Sequence, residues 1–264
     1  MSRSFEVQVE GIAFWSSRLP SWDIARAVIR GDATAPAAGT RPIPALLAPT
    51  ERRRAPDTVA VALEVAAKAC EAAGRSPADL PSVFASTHGD TAISDYMCAT
   101  LATTPTLISP IKFHNSVHNA AAGYWSIGTG SQAPYTAISA FEHTFGAGLL
   151  EAATQVACED KPVLFVAFDI EAKGALGTVT PSRGMVGAAV VLGPPTSTKG
   201  VRLMLQIQTG DAAAITPASS PAAEYIASNA LAPCLPFFEL LAYQDAAAMQ
   251  LALGTRMTLR VQRM

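Results

Sequence analysis

The sequence predicts an α/β layered fold. Short, wholly apolar runs at 163–168 and 185–192 lack the in–out alternation of a half-solvated strand, as expected where helices cover both faces of a sheet. These runs alternate along the chain with segments of helical periodicity, the order of a layered α/β domain. Composition agrees: 50% of the 264 residues are hydrophobic and only 15% are charged. That is enough apolar mass for a thick core or for a large surface buried against another subunit.

The elements are expected in this order. Residues 5–14 alternate and read as a strand ending near Gly11, and 22–29 read as a short helix. Residues 33–50, rich in Ala, Pro, Gly and Thr, read as an exposed loop. A helix then runs over 57–74: Asp57 is its expected N-cap, Val59, Leu63, Ala66 and Cys70 recur at helical spacing, and Gly74 stops it. A buried strand at 82–86 leads into a turn at His88-Gly89-Asp90. An alanine-rich helix over 115–126, a strand over 135–141 and a helix over 146–158 follow. Strands at 163–168, 185–192 and 201–208 come next. Residues 209–236, rich in Ala, Pro and Ser, read as a loop, 237–252 as a last helix, and the chain closes on a short strand.

Several function classes are disfavoured. The net charge is −2, and the one basic run, Arg52-Arg53-Arg54, is too short to hold nucleic acid; it reads as a solvated loop or as a contact for an acidic carrier protein. The four cysteines, Cys70, Cys98, Cys158 and Cys234, show no paired spacing, so no zinc site or disulfide framework is expected and a reducing, cytoplasmic setting fits. Residues 1–6 carry no apolar run of the signal-peptide type, and the charge-free stretch 115–141 is too polar for a membrane span. No cofactor motif is present.

The chemistry is concentrated between Pro110 and Glu171. Here stand Asn119-Ala120-Ala121-Ala122-Gly123, then Ala133-Pro134, then Phe141-Glu142-His143, then Glu159-Asp160, then Asp169-Ile170-Glu171. Without gaps, this succession resembles the nucleophile region of the β-ketoacyl synthases, enzymes of the thiolase fold. There an Asn-x-x-Ala-Gly helix precedes a Gly-Pro loop and a strand, and a sharp turn then presents a cysteine at the start of a buried helix. Val9-Glu10-Gly11-Ile12 and Gly187-Ala188-Ala189 resemble further family strands. The resemblance covers about residues 5–195. It implies one thiolase-like α/β/α domain over 1–264, with a first half (5–195) essentially complete and a second (196–264) strongly reduced.

Two departures shape the expected function. The register puts Glu142 where the family carries its cysteine. A carboxylate is no substitute, because an acyl group on it would be a reactive mixed anhydride rather than a thioester. The family also uses two histidines after the nucleophile to drive decarboxylation and stabilise the oxyanion. This chain has His88, His114, His118 and His143, and none follows residue 143. The resemblance therefore implies a non-catalytic partner subunit, a chain-length factor paired with an active β-ketoacyl-carrier synthase and meeting acyl carrier protein transiently. The short form that accompanies aryl polyene synthases resembles it best.

The family's strand before the nucleophile pairs with its twin across a two-fold axis. By that resemblance Tyr135, Ile138 and Phe141 would face the partner, and Lys112, Phe113, His114 and His118 would reach toward its acyl tunnel. Glu142 reads either as a helix-terminal filler of the vacated site or as a mimic of a malonyl carboxylate, with His143 packing beside it. His114 and His118, four apart, have a metal-compatible spacing, but no third ligand follows, so no metal is expected. A malonyl-carrier decarboxylase using Glu142, and a carrier-binding module without a synthase, are the competing readings.

Overall fold

In the computed structural model, which describes residues 4–209, 215–245 and 247–264, the first strand organises everything else. It is β1, Ser4–Ser16, and it does not end at Gly11. Its register shifts between Val9 and Gly11, and a Cβ at Gly11 would stand 2.3 Å from the Ala69 carbonyl oxygen. The glycine thus marks a bulge and a close helix crossing rather than a strand end.

The remaining elements, in chain order, are α1 (Trp22–Arg30), α2 (Pro49–Arg54), α3 (Asp57–Ala73), β2 (Ser82–Ala85), α4 (Thr91–Thr103), α5 (Pro110–Asn115) and α6 (Ala120–Thr129). Then come β3 (Tyr135–Ile138), α7 (Thr144–Glu159), β4 (Val163–Asp169), α8 (Leu176–Val179), β5 (Val186–Gly193), β6 (Val201–Thr209), α9 (Leu235–Ala242), β7 (Ala248–Gly254) and β8 (Met257–Arg263).

One eight-stranded sheet carries them in the order β3-β2-β4-β5-β1-β6-β8-β7. β2 lies parallel to both β3 and β4, and all later neighbours are antiparallel. β1 spans two partners: Gln8–Ser16 pairs with β5, and Ser4–Val9 with β6. One face is covered by α3 and α6, with Leu63, Phe84, Trp125 and Leu164 in its core. The other is covered by α1, α7 and α9, around Phe14, Phe145, Phe165, Phe237 and Phe238. With helices on both faces, β4 is buried at every position, as its unbroken apolar run predicts.

α7 is gripped on two sides. A Cβ on Gly148 would meet the Phe165 ring of β4 at 2.6 Å, and one on Gly146 would meet the Ala252 carbonyl of β7 at 2.6 Å. The eighth strand of the sheet therefore reaches the same helix as the third, so the sheet curls round α7. The two glycines permit the close approach on each side.

Several expectations need correction. Asp57 is not the N-cap of α3: Pro56 is, and the Asp57 carboxylate pairs with Arg41 at 2.9 Å. The expected loop 33–50 gives way at Pro49 to α2, where proline fits the first helical position. The expected helix 115–126 is broken into α5, a turn at 116–119 and α6. The strand expected to reach Phe141 stops at Ile138. The expected helix 237–252 is α9 followed by strand β7, in which Met249 and Leu251 point inward and Gln250 and Ala252 are less buried, a period of two. Within the expected loop 209–236, the described residues form two 3-10 turns; the expectations for 1–3, 210–214 and 246 fall outside the described residues.

The Glu10 side chain, fully buried beside the bulge, is held by Arg75 through two bonds of 2.7 and 2.8 Å. Burial pushes its carboxyl up, but the Arg75 and Ser197 hydrogen bonds, with the charges of Arg75 and Lys199, outweigh it and leave the pKa below 4.5. A depressed carboxyl stabilises the fold above its unfolded pKa, and that contribution disappears as pH falls from about 4.5 through the folded value. Acid unfolding of Glu10→Gln, followed by circular dichroism from pH 6 to pH 2, is expected to be shallower below about pH 4.5 than that of the wild type. Parallel profiles would show that Glu10 carries none of the acid sensitivity.

Candidate functional site

The turn between β3 and α7 is built under strain. Phe141 has φ +51°, a left-handed conformation that costs a non-glycine residue about 1–2 kcal/mol. Thr144 offsets part of this: its Oγ1 accepts from the Ala140 N–H at 3.0 Å and donates to the Phe141 carbonyl at 2.6 Å. Phe141–His143 forms one 3-10 turn, and α7 starts at Thr144. At its far end α7 is closed by Asp160, also left-handed at φ +50°.

Glu142 stands on this turn with its side chain 70% exposed, and the His143 Nε2 lies 3.6 Å from its Oε1. His143 is turned inward, and its Nδ1 is buried without a partner. Both residues border a cavity of about 360 Å³ whose walls are mostly apolar, including Phe145, Pro217, Pro233 and Leu251. Residues 215–218, which line one side of it, lead into Ser219 and Ser220, whose N–H groups donate to the Glu239 carboxylate at 3.0 and 2.7 Å. A carboxylate and an imidazole at the mouth of an apolar pocket can bind and orient a polar head. They offer no thiolate to receive an acyl group.

The turn rests on a residue that the sequence reading passed over. Asp169, at the end of β4 and 1% exposed, accepts from the Ser86 hydroxyl at 2.9 Å and from the Thr87 and His88 N–H groups at 3.0 and 3.2 Å. Burial pushes its carboxyl pKa up, against the lowering effect of these bonds. His88 meets the Phe141 ring edge-on at 6.2 Å, and the Ser139 hydroxyl bonds the Thr87 carbonyl, so the 86–89 turn buttresses the Phe141 turn. The signal was available: a charge closing a strand otherwise wholly apolar needs a fixed set of donors. Glu171, two residues on, is instead half-exposed and pairs with Lys173 at 3.7 Å.

The other flagged residues separate into two groups. His118 Nε2 bonds the Ser86 carbonyl at 2.9 Å, which joins it to the Asp169 cluster. His114 packs edge-on against Tyr124 on the far side of the 116–119 break, so the two histidines share no helix face; among the described residues no cluster of three metal-ligating side chains occurs. Lys112 lies over the Tyr96 ring at 5.9 Å. Phe113 and Phe141 are 61% and 58% exposed, Tyr135 is 40% exposed, and Ile138 packs partly into the core.

β3 is an edge strand. Pro134 and Ile138 carbonyls accept from Ser82 and Ser86, so the even positions face β2, and Tyr135 and Ala137 turn their backbone groups outward. Leu107, Phe113, Val117 and Phe141 each expose a large apolar side chain. No helix among the described residues is long and apolar enough to cross a membrane.

Comparison with known proteins agrees with this architecture. Residues 25–253 match the model of the β-ketoacyl synthase N-terminal domain. The curated proteins contain no match in sequence. Among solved structures, the ketosynthase ApeO in complex with its chain length factor ApeC from Xenorhabdus doucetiae aligns over 97% of this chain and 99% of the matched one, at 19% identity and TM-score 0.73. A type II polyketide ketosynthase complex, AntDE with its acyl-carrier protein AntF, aligns over 99% of both chains at 10% identity and TM-score 0.76. A β-ketoacyl synthase from Burkholderia phymatum aligns over 86% of this chain and 70% of its own, at 16% identity and TM-score 0.59. At these identities the likeness is one of fold, and with the match of the domain model over most of the sequence it places this chain in the β-ketoacyl synthase family, as a protein of its N-terminal-domain type.

Proposed function

We propose that this chain is a non-catalytic partner of an active β-ketoacyl-carrier synthase, a chain-length factor in polyketide-type and specifically aryl polyene assembly. The observation that carries this reading is a carboxylate, Glu142, on the strained turn that opens the buried helix α7, where a condensation would need a thiolate. The solved complexes it resembles in fold are described as a ketosynthase with its chain length factor and as a ketosynthase with its carrier protein, which supports a synthase partner and a carrier that visits. In this reading the protein works in the cytoplasm, with residues 5–195 as its thiolase-like half. Phe113, Tyr135 and Phe141, together with Lys112, His114, His118 and Ile138, face the synthase in this reading, and bulk there ends the acyl tunnel.

The test is co-expression with a ketosynthase that carries its cysteine and both histidines. A stable heterodimer burying more than about 2,000 Å² is expected, with extension activity that disappears when this chain is omitted. Glu142→Ala is expected to leave the product lengths unchanged. If Glu142→Ala instead removes carbon dioxide release from malonyl carrier by this chain alone, the decarboxylase reading replaces this one. A purified chain that stays monomeric beside the synthase defeats it.

A further inference from the structure

The sheet has a notch in its middle. β1 pairs with β5 as far as Ser16, but with β6 only from Ser4 to Val9, where Val201 begins β6. Ser16 closes the far end of the gap: its N–H donates to the Leu19 carbonyl and its own carbonyl accepts from the Leu19 N–H. Between these two points residues 10–15 have no strand on that side. Ser16 thus turns its backbone groups away from β5, and alternation gives Ile12 and Phe14 the same direction. Phe14 is nearly covered, at 2% exposed, whereas Ile12 is partly exposed, so Ile12 is the residue that presents an N–H and a C=O to the gap.

A space of about 370 Å³ lies against this edge, lined from the sheet by Ile12 and Phe14. The start of α1, with Trp22 and Asp23, walls one side, and Glu64, Lys68 and Glu71 of α3 wall the other. α1 and α3 cover opposite faces of the sheet, so the space continues the layer of the strands themselves. An open edge in such a slot can take an extended peptide as one more strand, through main-chain hydrogen bonds.

Charge selects the kind of peptide. Asp23 is shared with Arg26 at 3.2 Å, and Lys68 is taken by Glu71 at 2.7 Å. Glu64 is partly buried and, among the described residues, has no hydrogen bond or ion pair of its own. Burial pushes its carboxyl pKa up, the Lys68 charge pulls it down and the Glu71 charge pushes it up again. A cation brought beside Glu64 would neutralise an acid that the chain leaves uncompensated.

We infer that the notch binds an extended, basic segment of another polypeptide, which pairs its main chain with Ile12 and sets a lysine or arginine against Glu64. In the sheet, β1 is separated from β3 by β2, β4 and β5, so this surface is distinct from the edge offered to the synthase, and the inference does not depend on that partner.

The probe is the peptide acetyl-Val-Lys-Val-Thr-Val-amide, titrated into the full-length protein, in complex with its synthase if the two copurify. Tryptophan fluorescence reports binding, since Trp15 and Trp22 line the space. The same peptide with glutamate in place of lysine is expected to bind about tenfold more weakly, because an opposite-charge pair becomes a like-charge one. Two further versions are N-methylated at the odd or at the even positions. A strand turns only alternate amides to its neighbour, so one version is expected to bind as the parent does and the other not at all. Glu64→Gln is expected to erase most of the preference for lysine over glutamate while melting as the wild type does. If Glu64→Gln does not fold, the lysine-to-glutamate ratio on the wild type decides. A ratio near one, equal binding of the two N-methylated peptides, or no binding of the parent at millimolar concentration overturns the assignment.

Discussion

Asp169→Ala is expected to lower the stability of the chain by about 3 kcal/mol, because three donors that now share one buried carboxylate would lose their acceptor. Orphaned donors cost about 1–3 kcal/mol each, and part of that is recovered because a buried carboxylate, itself held at a raised pKa by burial, is removed with them. Asp169→Asn separates the two contributions. The amide oxygen can keep the place of Oδ1, which accepts from Ser86 and His88, while its nitrogen sits where Oδ2 accepts from Thr87. A loss of about 1 kcal/mol is expected for Asn. The charge has its own signature. A carboxyl with a raised folded pKa binds its proton more readily in the folded state, so between the unfolded value, near 3.8, and the folded one its contribution to stability falls as pH rises. Denaturant melts of wild type and Asp169→Asn from pH 4 to pH 7 should therefore diverge in slope. If Asp169→Ala melts with the wild type, the 86–89 turn does not depend on this carboxylate.

What the sequence could and could not reveal follows from the physics of each element. β4 and β5 were legible because strands covered on both faces leave an unmistakable apolar run. α3 was legible from its spacing and from Gly74, which adopts the left-handed cap at φ +63°. α4 was not foreseen: only Thr91 and Ile93 are buried in its thirteen residues, so it has no apolar stripe to announce it. β7 reads as helix in sequence because alanine favours helices in isolation, while Met249 and Leu251 obey the period of the sheet they complete. In the site, the placement of Glu142 before a buried helix followed from register alone. Asp169 did not, since what distinguishes it is the donors that converge on it from a distant part of the chain, Ser86, Thr87 and His88.

Ala137→Pro is expected to abolish pairing with the synthase while leaving this chain folded, and that asymmetry is the strongest test of the proposed assembly. Along β3, Pro134 and Ile138 accept from β2, and alternation gives Thr136 the same inward role. Ala137 turns its N–H to the open edge, where proline removes a donor that the chain's own ladder does not use. A partner strand laid along this edge would lose that bond and meet the pyrrolidine ring, a penalty of about 3 kcal/mol or roughly a hundredfold in affinity. Thr136→Pro is the internal contrast: it removes a bond to β2 and should lower the melting temperature itself. Co-purification yields and melting curves of the two variants then form a crossed pattern, dimer lost with fold kept for Ala137→Pro and fold weakened for Thr136→Pro. If Ala137→Pro copurifies with the synthase as the wild type does, the exposed edge of β3 is not where the two subunits meet, and exposed apolar side chains such as Phe113 and Phe141 must bind the partner by packing alone.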